Sequence, residues 1–309
     1  MGDAPKPGQE PGLRPAPLHP GAGGCSRFNF RASSAANTAV TLQVHSPVPP
    51  DHSQVVGRTL CLSTLLVRGT LETAQALAAD PEDRAAYHEL TERLGFWLGQ
   101  EDFAAQFTAT ENDWLALPPG GWDGTQQEAQ GELIEGLGVL LWALGLYERF
   151  PACDEPFPLH DLDPLIGWPA HALVSPHVGE LAQFPARRAD VLLSITQLRP
   201  LPELRAQRGT VECWLWRSQM AAVQRSQPHP APGQDYGVTI GIAAEEAHAA
   251  GAIGRPVQND FPIKGRPFGK LPEAVQLECA RLAAARKPAL DWLRGYATAW
   301  DDAPAAVAA

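Results

Sequence analysis

The stretch Glu132 to Phe150, ELIEGLGVLLWALGLYERF, constrains this chain more than any other. Leu133, Leu137, Leu140, Leu141 and Leu144 recur at helical spacing and make one wide apolar face. Ile134, Val139, Trp142 and Leu146 fill most of the remaining circumference, and a helix apolar nearly all round is a buried one. Gly136, Gly138 and Gly145 each cost roughly 1 kcal/mol against Ala in a helix. Three of them imply that neighbouring elements come close to its backbone. Pro151 stops the helix. At about 19 residues the run could reach across a bilayer, but Glu132, Glu135, Glu148 and Arg149 leave too short an uncharged stretch. It reads as a central core helix, and no membrane association is expected.

The rest of the chain reads mostly as helix. Residues 1–26 form a Pro/Gly-rich tail that the composition predicts to be disordered. Residues 27–309 are expected to form a single, mostly helical domain. Thr38 to His45 alternates weakly and is rich in β-branched residues, so a minor β element is expected near the N-terminus. Asp51 or Ser53 can cap a helix running to about Ala79. A second follows from about Pro81 to Leu98, with Tyr87, Leu90, Leu94 and Trp97 on one face. Thr108 to Trp114 reads as a short capped turn, with Thr110 and Asp113 as the capping pair. The central helix begins near Thr125. Further helices are expected at about 178–197, 201–226, 235–250 and 271–297. The fold class is mainly α, one domain around a buried central helix.

A chain of 309 residues is long enough to bury a sizeable core. Its net charge of −11 argues against a general nucleic-acid-binding surface. Only Lys6, Lys264, Lys270 and Lys287 of the 24 basic residues are Lys. Arg suits fixed, planar ion pairs better, although an Ala-, Arg- and Pro-rich chain also reflects base composition. The five cysteines, at 25, 61, 153, 213 and 279, form no CxxC pair, which argues against a disulfide framework and against a zinc site. With no apolar leader at the N-terminus, a cytoplasmic setting is the expectation.

Four groups of residues could carry chemistry. Glu212, Trp214, Trp216 and Arg217 are the most distinctive. Trp faces can hold a cation or planar ligand, and Arg can grip a carboxylate or phosphate; the plainer reading makes both Trp core and both charges buried partners of other helices. Glu128, Glu132 and Glu135 stack on one helical face, where clustered carboxylates can bind metal or do acid–base work. The plainer reading is an acidic face favoured near a helix N-terminus. His160, Asp161 and Asp163, with His171 and His177 nearby, offer hard-metal ligands in a long Pro-rich segment that also holds Asp154 and Glu155, but their spacing matches no zinc template. Lys264, Arg266 and Lys270 form the one basic loop, within a segment 255–294 that carries eight basic and four acidic residues. It suits an anion or an acidic partner. No nucleophile elbow and no cofactor loop is present, so no cofactor is expected.

Several segments taken in order resemble one family. They are Glu135 to Gly145; Leu198-Arg199-Pro200; Glu212-Cys213-Trp214-Leu215-Trp216-Arg217; Asn259-Asp260-Phe261-Pro262 with Phe268-Gly269-Lys270; and Ala289 to Tyr296 with Trp300-Asp301-Asp302. Together they resemble the bacterial proteins grouped as domain of unknown function 4272, over roughly Val40 to Pro304. Ile263 to Pro267 interrupts the family's continuation from Asp-Phe-Pro to Phe-Gly-Lys. The resemblance implies a largely helical cytoplasmic protein and carries no activity with it. The expectation is a non-catalytic binding or interaction protein, whose partner is a protein or a small anionic ligand. The alternative is a hydrolase-like enzyme using clustered carboxylates, with Arg217 as an anion clamp and metal assistance.

Overall fold

A computed structural model describes residues 48–99, 102–158, 189–297 and Trp300. The expected tail, the strand at Thr38–His45, the His160/Asp161/Asp163 segment with His171 and His177, the start of the helix at 178 and the Trp97 side chain lie outside the described residues. Everything described falls in one compact unit, Asn37–Ala309. Helix accounts for 68% of it, which makes the fold mainly α.

Eight α-helices occur among the described residues: α1 (His52–Leu77), α2 (Pro81–Leu98), α3 (Ala109–Ala116), α4 (Gly124–Ala143), α5 (Ala189–Ile195), α6 (Leu201–Ser226), α7 (Tyr236–Ala249) and α8 (Glu273–Leu293). In space they run α2–α1–α4–α8–α6–α7, each packed on the next, with α5 against α1. The strand pair β1 (Pro262–Ile263) and β2 (Arg266–Pro267) lies between α7 and α8 in the chain. The core is continuous from Val55 on α1 through Leu140 on α4 to Leu290 on α8.

Two expectations change. The helix that begins at Gly124 ends at Ala143 rather than at Phe150. Gly145 takes φ +73°, its N–H bonds the Trp142 carbonyl, and the Leu146 N–H bonds the Leu141 carbonyl. This is a left-handed helix stop that a glycine accepts without strain. Pro151 therefore has no helix to break. The helix is also buried only from Glu135 onward, while α1 is buried along most of its length. Close approach to the backbone holds at one glycine in particular: a Cβ on Gly138 would lie 2.1–2.5 Å from the Phe157 ring.

Local capping follows the sequence more closely. Asp51 caps α1, accepting from the Gln54 N–H at 2.8 Å while the Gln54 side chain accepts from the Asp51 N–H. At α3 the pair is Thr108 with Glu111, not Thr110 with Asp113. Glu111 wins because the same carboxylate also takes a buried pairing with Arg58 of α1.

Gly138→Ala is expected to destabilise the protein. Helix propensity gains about 1 kcal/mol, but overpacking costs about 1–3 kcal/mol. Phe157 has no room to retreat, being 2% exposed and packed edge-to-face with Tyr147 and Phe150. Urea unfolding checks it; stability at or above that of the unaltered protein would show the ring shifts freely. Asp51→Ala is expected to cost about 1 kcal/mol at neutral pH. Hydrogen bonds from Ser53 and Gln54 hold the Asp51 carboxyl below its ordinary 3.8 in the folded chain. Its contribution is complete above that value and is lost as pH falls through the lower folded one. The gap between the two proteins should close under acid and persist at neutral pH.

Candidate functional site

Two arginines on helices shape the site. Arg217 on α6 is 1% exposed and grips Asp260 with two parallel bonds, Nε to Oδ1 at 2.6 Å and Nη2 to Oδ2 at 2.9 Å. The same carboxylate accepts the Phe261 and Gly269 N–H groups, each at 2.7 Å. Asp260 thus ties both ends of residues 260–269 to α6. A Cβ on Gly269 would stand 3.0 Å from the Arg217 guanidinium, so the close approach asks for glycine. Trp214 packs edge-on against Phe261 at 5.3 Å, and Trp216 lies 6.2 Å from the same ring.

The chain between is two tight hairpins. Val257 and Asp260 exchange backbone bonds around Gln258-Asn259, and β1 and β2 pair around Lys264-Gly265. All four turn residues have positive φ, at 52°, 58°, 49° and 76°. Such turns match the twist of paired strands but favour Asn and Gly. Gln258 and Lys264 therefore carry strain, which costs of order 1–3 kcal/mol each. At Lys264 the strained turn sets the ammonium 2.8 Å from Asp154, across a cleft. The hydrogen bond to Asp154 raises the Lys264 pKa above its ordinary value.

Arg286 on α8 builds the opposite wall. Its Nε meets Glu135 of α4 at 2.6 Å, Nη1 donates to the carbonyls of Pro151 and Ala152, and Nη2 donates to that of Glu155. The second oxygen of Glu135 accepts the Phe157 N–H at 2.9 Å. The guanidinium sits over the Phe150 and Phe157 rings. Segment 150–157 is thereby wrapped around one buried cation.

Between this segment, α6 and the Lys264 hairpin opens a cleft of about 420 Å³. Gln207, Thr210 and Trp214 enter it from α6, and Ala283 and Arg286 form its floor. Its charges are matched. Arg286 is met by Glu135, Lys264 by Asp154 and Glu155 by Arg149 at 2.7 Å.

The structure disperses the residues singled out in the sequence. Trp214 lines the cleft and Lys264 stands at its mouth. Arg217 belongs to the loop clamp. Glu212 turns away, half-exposed, to Arg208 at 2.8 Å, and Arg208 also pairs with Asp291 of α8. Arg266 and Lys270 are exposed, and Arg266 donates to the Lys270 carbonyl. Glu128 and Glu132 face solvent while Glu135 is 1% exposed, so the three carboxylates do not act together. The sequence holds one Glu-x-x-His spacing, Glu245 to His248 on α7, but both residues are exposed. No cluster of three metal-ligating side chains occurs among the described residues. His160, Asp161 and Asp163 lie outside them.

Sequence reasoning missed Gln207, Arg286 and Asp260 as site builders and named Asp154 only as one carboxylate of the Pro-rich segment. A signal existed for Arg286. It interrupts the apolar stripe of Leu282, Ala283, Ala289 and Leu290, and a charge on a buried face calls for a partner. No family model, no curated protein and no solved structure matches the chain. The site is defined by its own geometry.

Arg217→Ala is expected to lose about 3–5 kcal/mol, because Asp260 is left buried and unpaired. Adding Asp260→Ala should cost much less than a second independent loss. Urea unfolding of the two single variants and the double variant checks this. Additive losses would show that the pair does not act as a unit.

Proposed function

We propose that this chain is a non-catalytic binding protein whose ligand occupies the cleft framed by residues 150–155, α6 and the Lys264 hairpin. The cleft itself carries the reading. At about 420 Å³ it falls in the range of small-molecule sites. Two buried charge clamps and a strained turn are arranged around it, and strain of this kind gathers at functional sites. The charge balance points to the ligand class. A charged ligand has to break one of the three matched pairs, whereas an uncharged one leaves them intact. Gln207 and Thr210 share a face of α6 at i,i+3 beside the Trp214 ring. They suit an uncharged planar molecule with an amide-like hydrogen-bonding edge. A small anion remains the competing ligand, because Lys264 lines the cleft and Arg266 follows it on the same hairpin; it has to displace Asp154 from Lys264.

The hydrolase-like alternative has less support. It asks for a carboxylate free to move a proton and an arginine free to grip an anion. Among the described residues Arg217 holds Asp260, and the buried carboxylates Glu72, Glu111, Glu135 and Asp291 are each paired with an arginine or lysine. The resemblance to domain of unknown function 4272 supports the scaffold half of the reading. The segments that carry it include α4 from Glu135, the Trp214 turn of α6 and both ends of the Asp260 clamp. No helix among the described residues is long and apolar enough to cross a membrane. A cytoplasmic setting is the reading that fits cysteines without CxxC pairs.

The test is a thermal-shift screen with uncharged planar amides and small carboxylates and phosphates. Uncharged compounds are expected to raise the melting temperature, and Thr210→Trp, which fills the cleft, is expected to abolish the rise. Arg266→Ala should leave it unchanged. Shifts confined to the anions, and lost in Lys264→Ala, would overturn the uncharged-ligand class. Turnover of simple esters or phosphoesters with an added divalent metal would overturn the non-catalytic reading.

A further inference from the structure

Cys279 lies on α8, 0% exposed, one turn before Ala283 and two before Arg286. The three share the helix face that floors the cleft. Arg286 draws the carbonyls of Ala152 and Glu155 down onto that face, and Cys153 lies between them. Cys153 lines the cleft and is partly exposed, and its thiol lies against that of Cys279. Two free thiols in contact, one reachable from an opening and one sealed behind it, have the arrangement of an attacking and a resolving cysteine. We propose that Cys153 is a thiol–disulfide exchange site that takes a low-molecular-weight disulfide through the cleft, and that Cys279 resolves the adduct.

The chemistry balances in two steps. The Cys153 sulfur, having given its proton to solvent, attacks one sulfur of the disulfide RSSR. That S–S bond breaks, the bond from Cys153 to SR forms, and RS⁻ leaves to collect a proton. Cys279 then loses its proton and attacks the Cys153 sulfur, expelling the second RS⁻. Two protein thiols are oxidised to one disulfide, and RSSR is reduced to two RSH. The thiolate is the attacking form. The adjoining Cys279 thiol and burial push the Cys153 thiol far above its ordinary range, Asp154 adds to the rise, and Arg286 on α8 opposes it. Around the thiol stand also Glu155 on its own segment and Lys264 on the hairpin, while α6 offers only uncharged Gln207 and Thr210. Thiolate is therefore scarce, and the exchange should be slow at neutral pH and quicken as pH rises. Product formation draws segment 150–155 onto α8 and removes a thiol from the cleft wall.

Reduced full-length protein is incubated with oxidised glutathione, quenched in acid, unfolded, alkylated and weighed intact. Two of the five thiols should be lost with no glutathione retained, and digestion should yield a Cys153–Cys279 cross-linked peptide. The initial rate should rise about tenfold per pH unit, the slope expected while the thiol is the dominant form. Cys279→Ser should stop at a glutathione adduct on Cys153, and Cys153→Ser should keep every remaining thiol. Retention of all five thiols in the unaltered protein overturns the proposal, as does a disulfide joining any other pair. The cross-linked peptide from the unaltered protein decides the matter even where a variant fails to fold.

Discussion

The buried pair of Glu135 and Arg286 is the interaction on which the rest of the structure leans. Taking two charges out of water costs several kcal/mol each, and their attraction offsets this only with good geometry and extra hydrogen bonds. Both conditions are met. Arg286 places three of its N–H groups on backbone carbonyls of Pro151, Ala152 and Glu155, and Glu135 takes the Phe157 N–H. An apolar pair of the same volume would hold α4 against α8 as well. It would not dictate where segment 150–157 lies, because only the charges penalise every other placement of those carbonyls. The pair therefore positions a cleft wall more than it adds stability.

The same device recurs wherever the chain leaves a helix and must be held. Arg217 and Asp260 pin residues 260–269 to α6. Arg68 and Glu72 on α1 hold residues 117–122, through the Leu117 and Pro118 carbonyls and the Gly120 and Trp122 N–H groups. Arg58 joins Glu111 to the Gln106 carbonyl. Arg286, Arg68 and Arg58 each serve a carboxylate and a backbone carbonyl at once, which an ammonium cannot do with fixed geometry, while at Arg217 the Asp260 carboxylate takes the backbone N–H groups. Base composition accounts for an abundance of arginine. It does not account for arginines standing on apolar faces.

The cleft is the product of these clamps. One wall is the segment around Arg286, another is the Lys264 hairpin that Asp260 anchors, and α6 runs between them with Trp214. Because each clamp neutralises its own charge, the cavity they enclose is balanced, and the proposal of an uncharged occupant rests on that balance. The Cys153–Cys279 contact has the same origin. The pull of Arg286 on the backbone either side of Cys153 brings it to the helix face that carries Cys279. The cleft and the thiol pair thus share one structural cause.

Helices were legible in the sequence because their causes are local. Asp51, the apolar periodicity of α1, and the Pro and Gly breaks before α2, α6 and α8 act within a few residues, and α6 lies where its pattern predicts. The end of α4 at Gly145 was misread because a glycine inside an apolar run looks like a tolerated helix residue until its φ is known. The groups Glu212–Arg217 and Glu128–Glu135 looked like sites because charge clusters show in one dimension. Folding separated the first because a helix sends Glu212 and Arg217 to different faces, and the second because α4 is buried only from Glu135 onward, leaving Glu128 and Glu132 on its exposed first half. What the sequence alone determined is a mainly helical chain with its apolar faces and caps. Tertiary structure decided which charges pair, across 43 residues for Arg217 and Asp260 and 151 for Glu135 and Arg286. Partners at such separations leave no mark in local spacing, because they meet only after the helices between them have packed.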